Sequence, residues 1–265
     1  MLPSPAMDTT PGTLYVVATP IGNLEDITLR ALSVLKEVDI IAAEDTRHTQ
    51  KLLTRHLIHG QLTSYHDHNK EMKSPVLIER LQQGQSVALV SDAGTPLIAD
   101  PGYFLVCAAR DAGLPVVPIP GPSAPVAALS VAGMPTDCYT FLGYMPPRSG
   151  ARRTRLEALA EHPCTLVMFE APHRILKTLA DIAATLGDDR QMAALREMTK
   201  QHEEVVRGTV AEVTAHFTGR KVLGEFTLVV QGWTRQQRQQ ARRAQKEQKA
   251  GRMRKGTGSG HGDAA

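Results

Sequence analysis

The sequence predicts an α/β fold of two domains with a cofactor cleft between them, a parallel sheet in the first and a mixed sheet in the second. Three observations predict it. Through the first half, short apolar runs of strand length alternate with amphipathic stretches of helical period, the pattern of a parallel sheet covered on both faces. A dense Pro/Gly segment at residues 118–122 (PIPGP) interrupts the alternation and reads as a domain linker. Beyond it the last apolar runs follow each other with little helix between them, which predicts a mixed sheet.

The elements follow in order. Residues 13–18 (TLYVVA) form a buried strand, and residues 26–38 place Ile27, Ala31, Leu35 and Val38 on one helical face. Strands at 40–43, 62–65, 86–90 and 116–119 alternate with helices at 46–57, 71–83 and 103–112, the last ended by Gly113. In the second half, helices are expected at 123–131, 152–160 and 173–186. Strands are expected at 139–142, 164–169, 192–196, 205–209 and 225–230. The expected organisation is a disordered leader at 1–11, domains at 12–119 and 120–233, and a basic tail at 234–265.

Composition narrows the function. The 265 residues are 42% hydrophobic and 22% charged, with a net charge of +3, which excludes collagen-like and wholly disordered chains. Aromatics are only 4%, too few to suggest a single-strand stacking platform. The first twelve residues carry no basic and apolar regions of a signal peptide, and no run approaches the ~18 apolar residues of a membrane span. Cys107, Cys138 and Cys164 are odd in number and lack a CxxC spacing. No disulfide is expected, and the compartment is read as a reducing cytoplasm. Charge is uneven. From Arg235 onward nine basic residues, including Arg242 and Arg243, face two acidic ones, a net +7 that leaves −4 for the rest. The tail is either a solvated segment that aids solubility or an arm that neutralises nucleic-acid phosphates.

Ligands of open parallel sheets sit beyond the carboxyl ends of the strands. Three loops there combine small residues with Pro or Gly: residues 19–23 (TPIGN), 91–96 (SDAGTP) and 121–124 (GPSA). Taken singly they are tight turns; three together point to a cofactor cleft. None matches the dinucleotide or P-loop pattern. A second group of strand-end loops is charged: 44–48 (EDTRH), 65–69 (YHDHN), 170–174 (EAPHR) and 196–200 (REMTK). His66, Asp67 and His68 are weak as metal ligands, because alternate residues of an extended chain face opposite ways, so no metal is expected. The absence of a G-x-S-x-G elbow argues against a serine hydrolase.

With these stretches the sequence resembles the tetrapyrrole-methylase-like, or class III, S-adenosylmethionine-dependent methyltransferases. Within them it is most similar to the branch that methylates the ribose 2′-hydroxyl of a decoding-site cytidine in small-subunit ribosomal RNA. The matching segments include residues 12–32, 41–49 (IAAEDTRHT), 66–69 (HDHN), 88–103 (ALVSDAGTPLIADPGY), 120–124 (PGPSA), 141–146, 196–200 and 224–232. The resemblance implies S-adenosylmethionine as cofactor and a homodimer. It implies cofactor contacts from Pro20, Asp92, Thr95, Pro96, Ile98, Ser123 and Ala124, and, from the second domain, Phe169, Glu170, Met198, Thr227 and Leu228. The family's helical extension beyond the closing strand is replaced here by the basic tail.

Methyl transfer to a hydroxyl requires orientation and a proton acceptor. Glu44, Asp45, His66 and Glu170 are the candidate bases, with Arg47 or Arg174 gripping phosphate; Arg47 has the alternative of a salt bridge to Glu44 or Asp45. Arg174, Arg242 and Arg243 are the expected RNA contacts. A corrinoid-precursor methyltransferase, a diphthine-synthase-like methylase and a non-catalytic RNA-binding assembly factor are the other readings. The EDTRHT and HDHN stretches and the basic tail favour the RNA enzyme over the two other methylases, and the cofactor loops argue against the assembly factor.

Overall fold

The computed structural model describes residues 11–234. All but the last residue of the expected leader and all but the first of the expected tail, Arg242 and Arg243 included, lie outside the described residues. The chain divides into two units. Unit 1 runs to Val131 and takes in Arg196–Glu204; unit 2 comprises Ala132–Leu195 and the chain from Val205. This corrects the expected boundary at residue 119. The Pro/Gly segment is not a linker: Pro118 and Ile119 belong to a strand of unit 1, and the Pro122 carbonyl accepts a hydrogen bond from Thr95 within the same unit.

Unit 1 is built on five strands: β1 (Leu14–Val17), β2 (Ile40–Ala43), β3 (Gln61–Ser64), β4 (Val87–Val90) and β5 (Val116–Ile119). Their order is β3-β2-β4-β1-β5, and every pairing is parallel. All residues of β2 and β4 are buried, and the period-two pleat divides them between two cores. Ile41, Ala43, Ala88 and Val90 pack with α1 (Leu29–Glu37) and α2 (Thr46–Arg55). Ile40, Ala42, Val87 and Leu89 pack with α3 (Lys70–Gln82) and α4 (Tyr103–Asp111). The helix expected from residue 26 starts at Leu29, because the Thr28 side chain accepts from the Ala31 amide at 3.1 Å and caps it there. The last helix assigned to this unit, α5 (Ala124–Ala132), follows the 121–124 loop.

Unit 2 contains β6 (Tyr139–Tyr144), β7 (Thr165–Glu170), β8 (Gln191–Arg196), β9 (Glu204–Thr209) and β10 (Phe226–Val230) in the order β6-β7-β10-β8-β9. β6 pairs parallel with β7, and β7 antiparallel with β10, so the sheet is mixed, as expected. One face carries α6 (Ser149–Glu157), α7 (Ile175–Leu186) and α8 (Val210–Phe217). α8 was not anticipated. Its signal was present: Thr209 and Glu212 form a reciprocal capping box, and Val210, Val213 and Phe217 are its buried face. A second correction concerns the cysteines. Cys138 and Cys164 form a disulfide, leaving Cys107 free. They precede β6 and β7, and the parallel pairing brings their Cα atoms to 4.9 Å; a separation of 26 residues hides this adjacency.

Unit 2 also buries charge. Arg152 pairs with Asp181 at 2.6 Å and donates to the Pro146 carbonyl, while Ser149 donates to both Asp181 oxygens. Arg190 donates to the carbonyls of Leu186, Gln231 and Ala160, tying three segments through one guanidinium.

Candidate functional site at the carboxyl edge of the parallel sheet

The strand order brings the sequence-predicted loops together. β4, β1 and β5 are neighbours, so loops 19–23, 91–96 and 121–124 leave the sheet side by side. Thr19 and Gly94 exchange backbone hydrogen bonds of 2.8 and 3.0 Å. The Thr19 hydroxyl donates to the Ser91 carbonyl, and the Thr95 hydroxyl donates to the Pro122 carbonyl at 3.2 Å. Gly94 has φ +85°, a conformation that side chains disfavour. Gly22 is required for a different reason: a Cβ there would lie 2.5 Å from Lys200 and 2.9 Å from the Met198 carbonyl. The Asn23 amide donates to Thr199 at 3.0 Å, so the 196–200 loop is part of this rim. A small pocket lined by Thr19, Pro20, Leu24, His48, Thr49 and Asp92, with Ser91, opens here.

Of the expected cofactor residues, Pro20 and Asp92 line that pocket, Thr95 and Pro96 continue the β4 loop, and Met198 meets Gly22. Ile98 is exposed, and Ser123 accepts the first hydrogen bond of α5, whose first residue is Ala124. In unit 2, Phe169 stacks edge-on with Phe141 and Tyr144 and lies opposite Thr227 in the sheet. The Leu228 side chain is wholly buried in the apolar core of unit 2 and offers no side-chain contact to a ligand. Glu170 is also enclosed. It pairs with Arg174 at 2.6 Å and accepts from Thr178 and the Ala171 amide. Its expected role as a free base is therefore corrected, and Arg174 is committed to it rather than held out to solvent.

The charged loops follow β2 and β3, next to β4. Asp45 caps α2 and accepts from Arg47 through the backbone amide, Nε and a guanidinium nitrogen. Those hydrogen bonds hold its carboxyl well below the usual carboxylate range. Arg47 itself is 89% exposed, so the alternative of a salt bridge is realised at the surface. The Asp45 amide donates to Asp92 at 3.0 Å, and the Asp92 amide donates to Glu44 at 3.4 Å. Burial raises the Glu44 carboxyl, and the charge of Asp92 adds to this while the Asp92 amide opposes it. His66 Nε2 lies 3.2 Å from the Asn69 amide nitrogen, while its Nδ1 is buried without a partner. Asn69 also accepts from the His66 backbone, which makes Nε2 the acceptor and leaves the ring proton on Nδ1.

Asp100, which the sequence did not single out, lies on the same β4–α4 loop. Burial pushes its carboxyl up to about 6; the nearby Ser91 hydroxyl pulls it back, and Glu44 and Asp92 push it further. Leu97 and Ala99 adopt left-handed φ values of 73° and 69°, and Glu197 and Thr199 in the 196–200 loop take 51° and 64°. Such residues cost about 1–3 kcal/mol each and gather at ligand sites. Asp100 was detectable only as an acid flanked by apolar residues in a loop between strand and helix.

Among the described residues, no three His, Cys, Asp or Glu are arranged to hold a metal, and no helix is long and apolar enough to cross a membrane. The tetrapyrrole (corrin/porphyrin) methylase family matches residues 13–214.

The chain belongs to the tetrapyrrole methylase family.

As a tetrapyrrole methylase it has several similar curated relatives. Ribosomal RNA small subunit methyltransferase I of Micromonospora olivasterospora is 53% identical over 83% of this chain and 71% of its own length. The same-named protein of Escherichia coli O157:H7 is 49% identical over 85% of this chain and 79% of its own. Among solved structures, a uroporphyrin-III-C-methyltransferase of Thermus thermophilus superposes with TM-score 0.60 at 25% identity, over 83% of this chain and 94% of its own. A diphthine synthase reaches TM-score 0.64 at 16% identity, over 83% of this chain and 89% of its own, a likeness of fold alone.

Proposed function

We propose that this tetrapyrrole methylase transfers a methyl group from S-adenosylmethionine to small-subunit ribosomal RNA, at the ribose 2′-hydroxyl of a decoding-site cytidine. The observation that carries the reading is the 48–53% identity to ribosomal RNA small subunit methyltransferases I across most of the chain. The family gives the cofactor; the loops of unit 1 fit it, with a left-handed glycine, a close backbone approach and an orphaned buried hydroxyl on Ser91. Bound S-adenosylmethionine supplies an activated methyl group on a cationic sulfur. Pro20, Asp92, Thr95, Pro96, Ile98, Ser123, Ala124 and Met198 are assigned to hold it, with Phe169 and Thr227 from unit 2. The charged half of the rim is assigned to RNA. Arg47, exposed beside Asp45, reaches a phosphate, and His66 Nδ1 offers a proton to an acceptor oxygen. Arg242 and Arg243 add phosphate contacts, the working form is a homodimer, and the compartment is the cytoplasm.

The test uses the purified protein, labelled S-adenosylmethionine and small ribosomal subunits lacking the modification, with the label located by nucleotide and atom. Label on one cytidine 2′-oxygen in the decoding region is expected. Label on a base, or none despite measured cofactor binding, overturns the reading.

A further inference from the structure

In unit 2, residues 145–157 and 171–186 form α6, α7 and the loops that lead into them. They carry six cations against two carboxylates, Glu157 and Asp181. Three of the six are spent within the fold. Arg152 pairs with Asp181, Arg174 pairs with Glu170 at the end of β7, and Arg155 donates to the Leu142 carbonyl. The other three, Arg148, Arg153 and Lys177, are exposed, and among the described residues none of them pairs with a carboxylate.

The fold gathers these three around one point. The Ser149 hydroxyl donates to both Asp181 oxygens, at 2.8 and 3.0 Å, and so ties the start of α6 to the middle of α7. Arg148 precedes Ser149 in the chain. Arg153 follows Ser149 by one turn on the same face of α6, and Lys177 precedes Asp181 by one turn on the same face of α7. All three cations therefore stand within about one helical turn, ~6 Å along the axis, of the Ser149–Asp181 contact. Asp181 does not neutralise them, because Arg152 meets its charge at 2.6 Å. Glu157 is the last residue of α6, one turn past Arg153, and forms no ion pair with it.

The character of the surface selects its partner. Neither helix has an acidic residue in its first turn. Leu176 is the one large apolar side chain exposed on α6 or α7, which does not fit a lipid or an apolar protein face. Guanidinium groups match phosphate oxygens in a fork, and cations that neutralise phosphates release condensed counterions. We infer that Arg148, Arg153 and Lys177 form a phosphate-binding surface of unit 2 that holds the backbone of the substrate RNA. The inference rests on the methyltransferase reading above. Contacts of this kind position the RNA without reading its sequence, so they set affinity for the subunit and not the choice of nucleotide.

A triple variant, Arg148→Gln, Arg153→Gln and Lys177→Gln, is compared with a control that removes the same charge. The control is Lys36→Gln, Arg80→Gln and Arg110→Gln, exposed cations in the last turns of α1, α3 and α4 of unit 1. The full-length proteins are assayed for binding and methylation of small ribosomal subunits lacking the modification, across about 50–200 mM salt. Cofactor Kd and Tm are measured alongside. The surface triple is expected to lose about 10-fold or more in subunit affinity, which raises KM, with kcat, cofactor Kd and Tm unchanged. The slope of log affinity against log salt is expected to become shallower by about one for each cation removed. Arg148→Lys combined with Arg153→Lys keeps the charges and is expected to keep the slope. The control triple is expected to bind as the wild type does. If the surface triple does not fold, the slopes of the three single variants decide. Equal losses in the two triples would mean that net charge alone is felt, and would overturn the inference. A surface triple with wild-type affinity and slope, or a loss confined to cofactor binding, overturns it and leaves the methyltransferase reading intact. So does a surface triple that keeps its subunit affinity but loses binding to polyglutamate, which assigns the surface to an acidic protein. A wild-type protein that methylates no subunit overturns the reading and this inference together.

Discussion

In unit 2 buried Arg152 meets Asp181, Glu170 meets Arg174 and Thr178, and Arg190 meets three carbonyls. In unit 1 the half-buried Glu44 and Asp100 lie among other acids, and Ser91 and His66 keep orphaned polar atoms. The two units share the α/β plan, yet unit 2 pairs its buried carboxylates and leaves, among its described residues, one side-chain polar atom unmet, Arg174 Nε, whereas unit 1 leaves Ser91 and His66 open at one rim. Polar groups that serve the fold are paired when the chain folds. Groups that serve a ligand are paired only when the ligand arrives, so unmet polarity is the mark of a site rather than of poor packing.

The comparison can be broken most forcefully in unit 2. Asp181→Ala strands the Arg152 guanidinium in the core and is expected to cost about 3–5 kcal/mol by urea unfolding. Arg152→Met combined with Asp181→Leu is expected to recover most of that. A small loss from Asp181→Ala alone would mean that the pair is not holding unit 2 together.

The opposite sign is expected in unit 1. The Asp100 carboxyl is raised from the ordinary range near ~4 to about 6. Between those values the folded state holds more protons than the unfolded one, so stability falls as pH rises. Asp100→Asn is therefore expected to be more stable than wild type above about pH 6, by about 1 kcal/mol after screening by solvent is allowed for. Below about pH 4 the difference should vanish. Denaturation midpoints across pH 3–8 check this, and an Asn variant less stable throughout would give Asp100 a structural role.

The smallest effect on stability is expected at the exposed Arg47. Arg47→Ala should leave the unfolding midpoint unchanged while lowering methyl transfer and sparing cofactor affinity. The Asp45 carboxyl, freed of its fork, should return toward the usual carboxylate range, which carbon NMR titration reads directly. Equal loss of cofactor affinity would count against an RNA-side role.

The sequence by itself determined the two α/β sheets, because the pleat and the helical turn impose periods that any reader of apolar positions can see. It also determined which loops lie at the strand ends, since strand and helix alternate, and it carried the family resemblance in those same loops. Residues 19–23, 91–96 and 121–124 were legible for this reason. Other features depended on neighbours far apart in the chain. The Cys138–Cys164 disulfide follows from β6 lying beside β7. The commitment of Glu170 and Arg174 to each other follows from the start of α7. The retention of 196–204 by unit 1 interrupts unit 2 in sequence but not in space. Asp100 became visible only when burial, Ser91, Glu44 and Asp92 were found together. A side chain's proton affinity is set by solvent exclusion and by charges a few ångströms away, and only the tertiary structure decides which charges those are.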